Sequence, residues 1–178
     1  MRMQIIEATS LTLEPQIGAH AEEMFAVLSD PAIYEYENEP PASVEWLRSR
    51  FTKLESRSSP DGQERWLNWV VRLRTSELRG LVQATVQQNV RADIAYVLSS
   101  AHWGRGLARE AVQTMTAEMA ARYQVRTLSA VFKRENQRSM RLLERLGFSL
   151  ASPEEHVERD VEPRELLMTR TISGPHTY

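Results

Sequence analysis

The sequence predicts an α+β protein: a mixed, mostly antiparallel central sheet of about seven strands, flanked on both faces by about four helices. Three observations carry that class. Trp66–Leu73, Leu78–Val86 and Ala92–Leu98 are consecutive runs rich in Val, Leu, Ile and aromatic residues, separated by short polar turns, the pattern of an antiparallel meander. Leu107, Ala108, Ala111, Val112, Met115 and Met119 recur at spacings of three and four, which marks one face of an amphipathic helix running to about Arg122. That helix separates the meander from the next strand, Leu128–Phe132, so those two strands are expected to run parallel through a right-handed crossover.

The other elements follow in order. Leu11–Leu13 alternates apolar and polar residues, and Pro15 ends it. Ala21, Met24, Phe25 and Leu28 set a helix within 19–29, which Asp30-Pro31 stops. Tyr34-Glu35-Tyr36-Glu37-Asn38-Glu39-Pro40-Pro41 is an aromatic, acidic loop stiffened by its prolines. Ser43 is the expected N-cap of a second helix marked by Val44, Leu47, Phe51 and Leu54, and Pro60-Asp61-Gly62 is a turn. After the long helix and its following strand, Asn136–Leu146 is a helix with Met140, Leu143 and Leu146 on one side and Gly147 just past its end. A strand starts within Phe148–Ala151, Pro153–Pro163 is an acidic excursion, Leu166–Ile172 is the last strand, and 173–178 is expected to fray.

Composition narrows the function. A chain of 178 residues suits one domain spanning 1–178. A formal net charge of −2 gives no basic field for nucleic acid. With no cysteine and four scattered histidines, neither thiolate chemistry nor a metal-ligand spacing is present. No apolar run approaches the ~20 residues of a membrane span, and the N-terminus lacks a signal-peptide core. The expectation is a soluble cytoplasmic protein without metal, nucleic acid or membrane partners.

Gly104 and Gly106 sit where the long helix begins. A glycine-bearing turn there leaves backbone N–H groups free at the positive end of the helix dipole, an anion site. It is neither a P-loop nor a dinucleotide fingerprint, because the Gly-Lys-Ser/Thr ending and the third glycine are missing. On its own, the pattern fits either a phosphate cradle or a turn that needs flexible residues.

A second motif adds to it. Trp103-Gly104-Arg105-Gly106-Leu107-Ala108, with Asn136 opening a later helix that ends at Gly147-Phe148, resembles the GNAT superfamily of acetyl-CoA-dependent N-acetyltransferases. Trp103, the spacing of Asn136 and Ser139, and Ser29-Asp30-Pro31 are similar to its RimJ/RimL-like branch, and the resemblance covers about 9–172. It implies acetyl-CoA as the acetyl donor and a primary amine, either a small molecule or a protein N-terminus, as the acceptor; a homodimer is compatible.

Residue by residue, the resemblance implies that Tyr96, Val97 and Leu98 face the pantetheine and acetyl group, and that the backbone of Gly104, Arg105, Gly106, Leu107, Ala108 and Arg109, after Trp103, cradles the pyrophosphate. Arg105 and Arg109 either contact phosphate or are solvated; Asn136 either bonds the pantetheine arm or caps its helix. The N–H of Leu98, or of Val97, would hold the oxyanion, and Ser139 would donate to the leaving thiolate. Leu143 stands where many members have an acidic tyrosine, and Val131 where some have a glutamate base. The base is therefore open among Asp93, Tyr96, Glu37 and Glu39. Tyr34, Tyr36 and Tyr96, with Glu35, Glu37 and Glu39, would border the acceptor cleft, the alternative being a solvated acidic loop. A second acidic stretch, Glu154 to Glu162, would wall the same cleft. The rival to an active enzyme is a catalytically inactive acyl-CoA-binding sensor or interaction module on the same fold.

Overall fold

The computed structural model describes residues 2–36 and 38–172. An eight-stranded sheet runs through it in the order β1-β2-β3-β4-β5-β6-β8-β7. β1 (Ile6–Glu7), β2 (Leu11–Pro15), β3 (Glu64–Leu73), β4 (Leu78–Gln87) and β5 (Arg91–Leu98) form a continuous antiparallel array. β6 (Thr127–Lys133) joins β5 in parallel, and β8 (Glu165–Thr171) enters between β6 and β7 (Ser149–Leu150). The expected meander and the parallel crossover are both present, and the two-residue β1 is the strand beyond the expected seven.

Helices cover both faces. α3 (Leu107–Arg122) buries Ala111, Val112, Met115 and Met119 against β2, β4 and β5, and α4 (Gln137–Arg145) adds Leu143 to the same core. Each fully buried Met, Val or Leu side chain there contributes about 1.5–3 kcal/mol. On the opposite face, α1 (Ala21–Leu28) and α2 (Val44–Leu54) pack Met24, Leu47 and Phe51 over Val70, Leu78 and Leu81. Strand alternation separates the two cores: Tyr96 packs with α3 and α4, whereas Val97 faces α1 and α2.

The caps are those expected from the residue types. Ser43 Oγ accepts from Trp46 N at 3.0 Å and starts α2. Asp30 ends α1 and opens a 3-10 turn, Pro31–Tyr34, by accepting from Ala32 N. The acidic excursion contains a fifth helix, α5 (Pro153–Glu158). Ser152 Oγ accepts from Glu155 N at 3.2 Å, and Glu155 Oε2 accepts from Ser152 N at 3.0 Å, a reciprocal capping box. Among the described residues, no helix is long and apolar enough to cross a membrane.

Candidate active site

The sheet opens beside β5. This strand pairs with β4 along its length, but with β6 only through Arg91↔Thr127, Ala92↔Leu128 and Asp93↔Ser129. From Ile94 onward, the side facing β6 has no strand partner among the described residues. Ser99 N donates to Arg79 O (2.7 Å) and Arg126 N to Val90 O (2.8 Å), which sets the parity of the strand. Even-numbered residues of β5 turn their N–H and C=O toward β6; odd-numbered ones turn toward β4. The N–H groups of Tyr96 and Leu98 therefore face the gap. Val97 lies opposite Leu81 and turns its backbone groups to β4, so of the two neighbours expected to donate to an oxyanion, the gap receives Leu98. The Leu98 carbonyl accepts from Trp103 Nε1 at 2.9 Å, leaving the N–H as its free group on this side. Gly80, opposite Leu98, permits close strand approach: a Cβ there would meet Val97 O at 2.4 Å.

The loop beyond β5 is built for an anion. A 3-10 turn at Ser100–His102 is anchored by Ser100 Oγ donating to Asp30, which holds that carboxyl below the usual carboxylate range. Gly104 and Gly106 follow with φ of +76° and +78°, conformations strained for residues with a Cβ. Gly106 is the N-cap of α3 and no side chain caps it; the helix bond from Glu110 N to Gly106 O leaves the N–H groups of Leu107, Ala108 and Arg109 without intrahelical acceptors. Among the described residues, a Cβ added at Gly104 or Gly106 would meet nothing within 4 Å beyond its chain neighbours. Arg105 and Arg109 are exposed, and among the described residues neither has a carboxylate within 4 Å. Open N–H groups, a helix dipole and two free guanidinium groups fit a pyrophosphate.

α4 brings the remaining groups to the gap. Asn136 is the N-cap, its Oδ1 accepting from Ser139 N at 3.1 Å, which leaves the Nδ2 donors for a carbonyl ligand. The Ser139 hydroxyl lies against the Tyr96 phenol. Burial pushes that phenol up to about 12, and the serine opposes the shift. Tyr96 therefore stays protonated at neutral pH and is poorly matched to the general-base role. Arg138, a residue without a sequence signal to distinguish it from its neighbouring arginines, stacks on Trp103 at 3.5 Å and reaches Glu35 at 3.9 Å. It joins α4, the glycine loop and the acidic loop.

Other candidates are placed elsewhere. Asp93 Oδ1 accepts from Arg159 and from Ser129 Oγ, both at 2.5 Å, and Oδ2 accepts from Gln87 at 3.2 Å. It pins α5 to the last paired register of β5 and β6. Its five-residue separation from Leu98 is about 16 Å along a strand, so direct contact with an amine at Leu98 is out of reach. Tyr34 spends its hydroxyl on Leu28 O (2.7 Å), and burial raises its pKa. Tyr36 is half-buried, Glu39 is exposed, and Glu37 lies outside the described residues. Leu143 is fully buried, while Val131 is exposed on the same sheet face as Ser129. In the acidic stretch, Glu162, together with Glu165, pairs with Lys133.

Comparison with known proteins meets this geometry. The acetyltransferase (GNAT) domain profile matches residues 10–149. The uncharacterized N-acetyltransferase p20 of Bacillus licheniformis is 28% identical over 148 residues, covering 82% of this chain and 83% of the relative. RimL, a ribosomal L7/L12 alpha-N-protein acetyltransferase solved in complex with coenzyme A, superposes with a TM-score of 0.80 at 18% identity, covering 95% of this chain and 98% of that one. The microcin C7 self-immunity acetyltransferase MccE, solved with acetyl-CoA and AMP, gives 0.76 at 17% identity, covering 93% and 94%.

Proposed function

Because the chain belongs to the GNAT acetyltransferase family and is an acyltransferase, we propose that it moves the acetyl group of acetyl-CoA to a primary amine by direct attack, with a protein N-terminus or a small-molecule amine as acceptor. The observation that carries this reading is the open edge of β5: Leu98 N–H faces a gap flanked by the uncapped start of α3 and by Ser139. Coenzyme A bound to RimL and acetyl-CoA bound to MccE support the choice of donor.

In this reading, the free N–H groups at the start of α3, with Arg105 and Arg109, hold the pyrophosphate, and Asn136 Nδ2 donates to the pantetheine arm. The neutral amine attacks the thioester carbonyl. Leu98 N–H stabilises the developing oxyanion, and the C–S bond breaks as the amide forms. The Ser139 hydroxyl donates to the departing thiolate. With a side-chain pKa far above the ~8.5 of a thiol, serine acts here as a hydrogen-bond donor. The ammonium proton leaves to solvent. An α-amine, titrating near ~8 against ~10.4 for lysine, needs little assistance, which suits a site where Asp93 is committed to Arg159 and lies about 16 Å along the strand from Leu98.

Isothermal titration with acetyl-CoA, followed by thiol release over a panel of amines, tests the proposal. Micromolar binding with amine-dependent thiol release is expected. Absence of binding at high micromolar acetyl-CoA overturns it; tight binding without release on any amine replaces it with the acyl-CoA sensor.

A further inference from the structure

We propose that Asp93 is a positioning residue: it pins the two halves of the sheet where they part, and so sets the reach between Leu98 N–H and the Ser139 hydroxyl. This rests on the direct-attack chemistry proposed above. It adds a residue that acts through the others, and it gives the Asp93 carboxylate a role other than proton acceptor.

The sheet consists of two arrays that share little. β1 to β5, with α3, carry Leu98 and the glycine loop; β6 to β8, with α4 and α5, carry Asn136 and Ser139. Among the described residues, β5 and β6 share three registers, and Asp93↔Ser129 is the last. Beyond it the arrays part around the gap and meet again through the packed side chains of α3 and α4 and the Arg138–Trp103 stack. A parallel ladder that short has few hydrogen bonds to resist fraying at its end.

Asp93 ties both arrays together at that register. Its Oδ2 accepts from Gln87 Nε2 of β4 at 3.2 Å. Its Oδ1 accepts from Ser129 Oγ of β6 and from Arg159 Nη2, just past α5, each at 2.5 Å. Ser129 is fully buried, and among the described residues Arg159 has no other carboxylate within 4 Å. Arg159 is itself held in place. His156 of α5 accepts from Leu167 N of β8 through Nε2 at 3.0 Å, so its Nδ1 carries the hydrogen and donates to Ser152 O at 2.9 Å. A carboxylate offers about four acceptor sites, and most of those on Asp93 are taken, one by a charged donor.

The distance from the pin to the chemistry makes it effective. Leu98 lies about 16 Å along β5 from Asp93. Over that arm, rotating β5 against β6 by about 4° moves the tip by about 1 Å, enough to cost a transition-state contact much of its strength. Leu98 stays registered to Gly80 of β4, and Ser139 stays on α4. Such a rotation therefore changes the distance between the two donors while leaving each array folded.

Steady-state kinetics with the amine turned over fastest in the panel above, together with calorimetric titration of acetyl-CoA, test this. Asp93→Ala should lower kcat by roughly tenfold or more, with acetyl-CoA affinity changed less than about threefold. Asp93→Asn keeps an oxygen for Ser129 and Arg159, and Gln87 can turn its amide to meet the new NH2 group. It should hold kcat within about threefold of the wild type, with the same pH profile, whereas a proton acceptor would lose activity in both variants. In a Ser139→Ala background, Asp93→Ala should cost little more, because the contact it misplaces is already gone. Should Asp93→Ala not fold, Arg159→Met, which keeps the aliphatic stem and removes the charged donor, decides by the same kcat, affinity and Ser139→Ala comparisons. Asp93→Asn as slow as Asp93→Ala, an unchanged kcat in Asp93→Ala, or full additivity with Ser139→Ala overturns the pin and leaves the acetyltransferase intact. Turnover of none of the amines by the wild type overturns both readings.

Discussion

The chemistry proposed here is divided between a main-chain donor and a side-chain donor. Leu98 contributes an N–H whose position is set by the parity of β5, so no substitution at 98 other than proline removes it. Ser139 contributes a hydroxyl whose orientation is coupled to Tyr96. With its pKa pushed up by burial to about 12, the phenol beside Ser139 keeps its proton at neutral pH. Ser139→Ala should therefore lower kcat by roughly a hundredfold, the scale of one transition-state donor, with acetyl-CoA affinity changed less than about twofold. Tyr96→Phe should act in the same direction but less strongly, and the double variant should cost little more than Ser139→Ala alone. Thiol-release kinetics together with calorimetric titration separate the two effects; an unchanged kcat in Ser139→Ala removes that residue from the reaction.

The loop between β5 and α3 would carry the proposed donor site through backbone conformation. Gly106 holds φ at +78° as the uncapped N-cap of α3, with open space above it. A Cβ would meet no atom there, so the cost of Gly106→Ala is conformational, about 1–2 kcal/mol. If the loop relaxes to avoid it, the N–H groups turn away from the position proposed for the pyrophosphate. Acetyl-CoA affinity should then fall roughly tenfold while kcat at saturation is nearly retained; calorimetric titration checks it. This loop and α3 were legible because glycine spacing and a 3.6-residue period are local signals. The α5 capping box, Ser152 with Glu155, was equally local but was masked by the acidic residues around it. β1, only two residues long, has no period to read. The partnerless end of β5 and the Arg138–Trp103 stack are not local: each depends on which residues of distant strands and helices meet.

The 3-10 turn Gly18–His20 joins β2 to α1 and packs against α2, and its histidine gives the fold an acid-sensitive point. His20 Nδ1 accepts from Ile17 N at 3.2 Å, and Nε2 lies 3.5 Å from Glu14, which also holds Arg72. Burial lowers the histidine pKa from its ordinary 6.5; Glu14 opposes that shift, and Arg72 reinforces it. The folded ring is neutral at pH 7 and uses Nδ1 as an acceptor, a role that protonation abolishes. Between 6.5 and the lower folded value, the unfolded chain binds a proton that the folded chain refuses. This contribution to stability is thus complete above pH 6.5 and declines as the pH falls through that window. His20→Asn keeps a side-chain oxygen to accept from Ile17 N but cannot titrate. Urea midpoints measured at pH 7.5 and 5.5 should fall more for the wild type than for His20→Asn. Ordinary carboxylates remain largely ionised at pH 5.5, so their background should be common to both proteins. Parallel declines would show that His20 does not set this sensitivity.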